Sequence, residues 1–315
     1  MRWTAVVNPA AGRGRTDKLL PRLTERFAAS ELEVAVHVST DLDDARDATT
    51  KALVDGHGVI ACGGDGLVAE LAGLTADADG VLGIVPTGAG NDLARHLGID
   101  HRRPLDAVAV IETGRIGTTD LGRATADGST RWFATVANTG FDSEANRWAN
   151  TVTWTGGTTL YVLAVLRTLA VYRPHRFRLT VDGEGGEVDA WLIAIGNARC
   201  YAGGMMVTPG AELDDGLLDV CVVGRASRFE FLRQFPKVFR GTHTGHPAVT
   251  MLRGRVVEVE SLDPSLPIEL YASGERVGPL PGRIEAVPGA LRVMVPEHAP
   301  VPTPPDERPA AGGHP

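Results

Sequence analysis

The sequence predicts an α/β protein, with an N-terminal doubly wound parallel-sheet domain followed by a mostly antiparallel β domain. Three observations carry this reading. Short buried-type strands alternate with helical stretches from Trp3 to Leu97. Glycine-rich turns follow three of those strands. Beyond about Ile116 the pattern changes to strand-like segments separated by turn residues.

Trp3 to Asn8 reads as a buried strand, followed by a Pro/Gly turn and an amphipathic helix from Asp17 to Ala28. Leu32 to Val38 alternates as a half-buried strand does. Asp41 to Val54 has helical spacing, with acids in its first turn where the helix dipole favours them. Gly58 to Cys62 and Val81 to Val85 are further buried strands, each followed by a helix, Gly66 to Leu74 and Asn91 to Leu97. This alternation places helices on both faces of a parallel sheet. In the second half, RWFATVAN, FRLTVDG, EVDAWLIAIGN, LLDVCVVG and GRVVEVES read as strands, with a helical interruption near Gly157 to Tyr172. The Pro/Ala/Gly-rich end, from about 299 to 315, reads as a disordered tail.

The 315 residues suffice for two domains, and 43% hydrophobic with 22% charged residues is an ordinary globular composition. A net charge of -8 argues against non-specific nucleic-acid binding, which rests on neutralising phosphates with Lys and Arg. The three cysteines, Cys62, Cys200 and Cys221, lack CxxC spacing and fit a reducing cytoplasm. The start lacks a signal-peptide layout, and the longest apolar run, Thr159 to Tyr172, is too short to span a bilayer. A soluble protein is expected.

The three turns are NPAAGRGR (Asn8 to Arg15), GGDG (Gly63 to Gly66) and PTGAGND (Pro86 to Asp92). Turns at the carboxyl ends of parallel strands gather into one crevice, and their backbone N–H groups suit phosphate. None is a Walker A loop or a GxGxxG fingerprint. Singly, each is more readily a plain turn than a site. Together, with Asp65 and Asp92 among them, they point to a phosphate ligand.

NPAAGRG, GGDG with Glu70 after it, and PTGAGNDLAR resemble the catalytic domain of the bacterial diacylglycerol kinase and sphingosine kinase superfamily. The resemblance continues through TTDLG with Asp120, VANTGFDSEA, IGNARCYAGGMMVTPGAELDDGLLDV and YASGERV, covering roughly residues 3 to 297. It implies an NAD kinase-like first domain over 1–119, joined by a closing strand near 292–298, and a lipid-facing β-sandwich over 120–291. The implied reaction is phosphoryl transfer from ATP to the hydroxyl of diacylglycerol or a related lipid. Asn8, Gly12, Thr40, Gly63, Gly64, Asp65, Gly66, Glu70, Gly88, Asn91 and Asp92 are the implied nucleotide site. Mg²⁺ is implied at Asp65, Asp92 and Asp120, with Asp65 and Asp120 counted among the catalytic groups and Glu275 as general base. A structural Mg²⁺ is implied at Glu212, Asp215 and the carbonyl of Leu217; the plainer reading there is a β-turn with solvated acids.

Four positions depart from the family pattern: Leu67 after GGDG, Ala69 before Glu70, Ala89 in the third turn, and Ser273 for the Asp of DGE. They keep two rivals open, a kinase of a soluble alcohol and a non-catalytic nucleotide- or lipid-binding protein. The expected partner is a lipid at the membrane surface, touched peripherally from the cytoplasmic side; a homodimer stays open. Thr158 to Tyr172, with Arg173, His175, Arg176 and Arg178 after it, reads either as an interfacial helix or as a core helix with a basic end. His243 and His246 read as loop residues, and Met205 and Met206 as packing residues.

Overall fold

The computed structural model describes residues 1–141, 167–168, 172–263 and 268–299. The chain packs into two compact units. The first comprises Met1–Leu121, Leu213–Gly216 and the chain from Val287 onward; the second comprises Gly122–Glu212 and Leu217–Ala286. This division differs from the expected one at the Leu213–Gly216 loop and at 287–291, both of which go with the first unit. The core of the Thr158 to Tyr172 stretch, most of GFDSEA and the tail from 300 lie outside the described residues.

In the first unit β1 (Arg2–Val7), α1 (Ala11–Ala28), β2 (Glu33–Val38), α2 (Leu42–Val54), β3 (Gly58–Gly63), α3 (Asp65–Asp77), β4 (Val81–Pro86) and α4 (Asp92–His96) alternate as predicted. Their strands pair in parallel in the order β4-β3-β1-β2. Every residue of β3 and β4 is buried, as central strands covered on both faces require. On the edge, β2 alternates loosely, with Val36 and Val38 partly exposed. Leu23 and Phe27 of α1, Ala45 and Ala52 of α2, and Leu71 and Ala72 of α3 supply the buried helix faces. Asp41 caps α2 by accepting the Asp44 N–H. A further helix, α5 (Ala107–Thr113), precedes β5 (Arg115–Ala126) and has no counterpart in the sequence reading.

The second unit is antiparallel. Its strands are the end of β5, β6 (Ser129–Phe133), β7 (Val136–Gly140), β8 (His175–Val181), β9 (Glu184–Gly196), β10 (Leu218–Gly224), β11 (Val249–Gly254), β12 (Val256–Ser261), β13 (Glu269–Ala272), β14 (Glu275–Pro279) and the start of β15 (Gly282–Val295). RWFATVAN is therefore two strands, broken at Ala134–Thr135, and not one. The long β9 serves two sets of neighbours: its first half pairs with β8, its second half lies between β7 and β10. Side chains alternate along it. Ile193 and Ile195 join Phe133, Phe177, Val220 and Val257 in one core, while Leu192 and Ala194 join Phe141, Val207 and Cys221 in another.

That second core is covered by α6 (Arg228–Val238), whose Phe231, Phe235 and Val238 pack on it. An apolar cavity lined by Phe141, Leu192, Val207, Phe231, Phe235 and His243 lies under the helix. His243 stands in a short 3₁₀ turn, as a loop residue should, but is buried, and Met205 packs in the interior. Cys62, Cys200 and Cys221 are free and buried. Among the described residues no helix is long and apolar enough to cross a membrane. In the first unit β15 returns beside β4 in parallel, pairing Arg292 with Val81 and Val293 with Leu82.

Candidate functional site

The first unit brings its three glycine-rich turns together. After β1, Asn8 closes a tight turn: its N–H donates to Cys62 O at 3.0 Å, and its Oδ1 accepts from Ala10 N at 3.0 Å. Gly12, Arg13 and Gly14 then take left-handed backbone angles (φ 59°, 61° and 77°), so the regular part of α1 begins only after them. Gly12 is doubly constrained, because a Cβ there would also sit 2.5 Å from the Thr87 carbonyl oxygen. The third turn is tied to the second by the Gly63 carbonyl, which accepts from Thr87 N at 2.9 Å and Gly88 N at 3.1 Å. Gly88 and Gly64 touch backbone to backbone, and a Cβ on Gly88 would collide with the Gly64 Cα.

Asp65, the first residue of α3, organises this cradle. Its carboxylate accepts from Asn91 N at 2.7 Å and from Asp92 N at 2.6 Å. Asn91 adopts the left-handed region (φ 57°) and spans its own turn, accepting from Gly88 N at 2.9 Å and donating through Nδ2 to Gly88 O at 2.8 Å. Burial pushes the Asp65 carboxyl above its ordinary value, and the neighbouring Asp92 charge adds to the push, against the two backbone donors. Asp92 is itself buried. Asp65 and Asp92 are thus neighbouring carboxylates, a donor type that suits a hard divalent ion which keeps part of its water.

Thr87, absent from the sequence-based site, links the first and third turns. Buried, its Oγ1 accepts from Thr16 Oγ1 at 2.7 Å. The only signal was its place between Pro86 and Gly88, which identifies a turn and not a partner. Gly66 stands open at the start of α3, where a Cβ would meet nothing. Thr40 and Glu70 are otherwise engaged. Thr40 N donates to Asp44 Oδ2 at 2.8 Å, and Glu70 pairs with Arg46 Nε at 2.6 Å.

Asp120 departs from expectation. Its two carboxylate oxygens accept from Gly216 N at 2.6 Å and Gly289 N at 2.7 Å, both within the first unit. Among the described residues no three His, Cys, Asp or Glu side chains converge to hold a metal ion. The Asp65, Asp92 and Asp120 set is therefore not gathered as one cage; Asp120 secures backbone. Glu212 belongs to the second unit and faces Asp219, whose carboxyl is raised first by burial and then by the Glu212 charge. Arg253 Nε stands 3.4 Å from that carboxylate. Asp215 belongs to the first unit and Leu217 to the second.

In the second unit Glu275 opens β14, opposite Ala272 of β13. Ser273 and Gly274 form the two-residue turn between them, both at positive φ (49° and 84°), the geometry that matches the twist of a hairpin. Ser273 thus keeps the turn that an Asp would make, and Ser273 N is tied to Val136 O at 3.0 Å. The Glu275 side chain is exposed. The other departures pack or project: Leu67 lies over Gly63, Ala69 is buried, and Ala89 is exposed.

Comparison with known proteins finds matches over most of the chain. The diacylglycerol kinase catalytic domain model matches residues 2–124, and the YegS C-terminal NAD kinase beta sandwich-like domain model matches residues 135–295. A diacylglycerol kinase of Mycobacterium tuberculosis (strain ATCC 25618 / H37Rv) is 40% identical over 298 residues, covering 94% of this chain and 95% of that protein. One of Bacillus subtilis (strain 168) is 28% identical, over 93% of this chain and 95% of its own. A crystal structure of a diacylglycerol kinase from Bacillus anthracis str. Sterne superposes with a TM-score of 0.70 at 20% identity, covering 93% of this chain and 96% of that one, and shows the same fold. These matches make the chain a member of the diacylglycerol kinase family, a kinase of the lipid-kinase type.

Proposed function

We propose that this chain transfers the γ-phosphoryl group of ATP to the hydroxyl of diacylglycerol or a closely related lipid alcohol, with Glu275 as the base. Membership of the family implies ATP and typically a divalent cation. The observation that carries the reading is the Asp65-centred cradle, in which three glycine-rich turns close on one another. Gly64, just before α3, has no side chain to cap the helix, which leaves room for phosphate oxygens at the helix start. Gly64 and Gly88 keep side chains out of that approach.

Phosphoryl transfer asks little covalent help of protein; it needs alignment and neutralisation of charge. Asp65 and Asp92 would hold Mg²⁺ through oxygen or water, and the ion would neutralise charge on the phosphates. The lipid oxygen forms the new P–O bond as the bond to the ADP oxygen breaks, and the hydroxyl proton passes to the Glu275 carboxylate. A carboxylate is a weak base toward an alcohol, so the proton moves late, once P–O bonding has acidified the hydroxyl.

Transfer of labelled γ-phosphate from ATP to a panel of lipids in mixed micelles tests this directly. Diacylglycerol is expected to be labelled, and Glu275→Gln to lose about 10²–10⁴-fold in rate with nucleotide binding kept. Label on another lipid alcohol would revise the substrate. No label on any lipid despite ATP binding would overturn the reading.

A further inference from the structure

Helix α6 is apolar on two faces, and the fold uses only one of them. Ser227 starts it with a reciprocal cap: its Oγ accepts from Glu230 N at 3.2 Å, and its N–H donates to Glu230 Oε2 at 2.8 Å. The inward face is fixed by aromatic contacts, with Phe231 4.8 Å from Phe141 and 5.4 Å from Trp191 between ring centroids. The outward face carries Phe229, 74% exposed, Leu232, 43%, and Phe239, 42%, just past the helix end. With the exposed Pro236 they follow the spacing i, i+3, i+7, i+10, which is one continuous stripe.

Cations border that stripe. Arg233, Lys237 and Arg240 fall along one edge and Arg228 along the other, and all four are exposed. The one acid in Ser227–Arg240 is Glu230, engaged in the cap. Among the described residues none of the four cations is in an ion pair; Arg228 donates weakly to Tyr172 O at 3.4 Å. Four cations against one acid give this surface a local charge of +3 on a chain of net charge -8. The exposed apolar side chains cost free energy in water, while the cations beside them are well solvated there. Together they suit a surface that accepts apolar groups and presents anions at the same depth.

We infer that the outer face of α6 docks this protein on anionic bilayers. Phe229, Leu232 and Phe239 enter the boundary between headgroups and acyl chains, and Arg228, Arg233, Lys237 and Arg240 meet lipid phosphates. The inference rests on the proposed lipid-kinase reading, since a kinase whose substrate is a bilayer lipid must work at that surface. It assigns the contact to a helix other than the Thr158 to Tyr172 stretch.

Sedimentation of the full chain with vesicles tests it. The native protein is expected to bind vesicles of mixed phosphatidylcholine and phosphatidylserine, to bind pure phosphatidylcholine far less, and to release as salt rises. Arg233→Gln with Lys237→Gln is expected to weaken partitioning about five-fold per cation removed. Phe229→Ser with Leu232→Ser is expected to weaken it at least as much, without lowering the melting temperature, because both side chains face solvent. Both variants are expected to keep full transfer to dioctanoylglycerol in neutral detergent micelles. Variants that sediment with anionic vesicles as the native protein does would overturn the docking claim and leave the kinase reading intact. Binding that depends on α6, with no lipid labelled by the native protein, would do the reverse. A native dimer that Phe229→Ser with Leu232→Ser turns into monomer, with no vesicle binding, would make the stripe a self-interface and overturn the claim.

Discussion

Gly88 and Asp92 show how narrowly single residues define the cradle. At Gly88 a Cβ has no space, because Gly64 Cα lies against it and Asn91 Oδ1 stands 3.0 Å away. Neither neighbour is the free end of a flexible chain. Gly88→Ala is therefore expected to cost about 1–3 kcal/mol in urea unfolding and to weaken nucleotide binding, measured by calorimetry. Asp92→Asn removes the anion that helps raise Asp65, so the Asp65 carboxyl should titrate at lower pH when followed by NMR. Its sign is informative: with a folded pKa above the unfolded one, Asp65 contributes a penalty that grows as pH rises from the unfolded value through the folded one. A bound cation would reverse that penalty. Most of these residues were legible in the sequence because their turns leave a signature of Gly, Asn and Asp. Thr87 was not, since a hydroxyl bonding another hydroxyl 71 positions away leaves none.

At the scale of elements, α6 and the turn beneath it illustrate what periodicity misses. β1 to β4 and α1 to α4 of the first unit were readable because strand and helix patterns alternate there between turn signals. α6 presents apolar residues inward and outward and carries Pro236, so no single helical stripe stands out. Break of its cap should be felt locally. Ser227→Ala is expected to cost the helix about 1 kcal/mol, seen as faster hydrogen exchange of its amides. Under α6, the His243 Nε2–H donates to Val207 O at 3.2 Å, and burial lowers the imidazole pKa. Because the folded pKa lies below the unfolded one, this histidine's contribution is present above about pH 6.5 and is lost as pH falls toward the folded value. Urea midpoints of the native protein should fall over that range more steeply than those of His243→Gln.

For the whole molecule, the division of the chain matters more than the count of its elements. The first unit is built from three separate stretches of sequence, and Asp120 bonds one of them to the other two through Gly216 and Gly289. Nothing in the sequence revealed this, because both partners are backbone N–H groups, which every residue but proline possesses. Asp120→Ala leaves two half-buried amides without that acceptor, and about 1–3 kcal/mol for each is expected, toward the lower end because water reaches them. Chemical denaturation followed by tryptophan fluorescence would register the loss, and Asp120→Asn, which retains one acceptor oxygen, should fall between.

The same discontinuity has a consequence during synthesis. The cradle's own loops emerge from the ribosome within the first hundred or so residues, yet Gly289 follows only after the whole second unit has been made. A nascent chain can form β1 to β4 early and still lack the bonds that close the unit around Asp120. Until translation passes that glycine, the early strands are exposed as an incomplete sheet, with the place of β15 beside β4 unfilled.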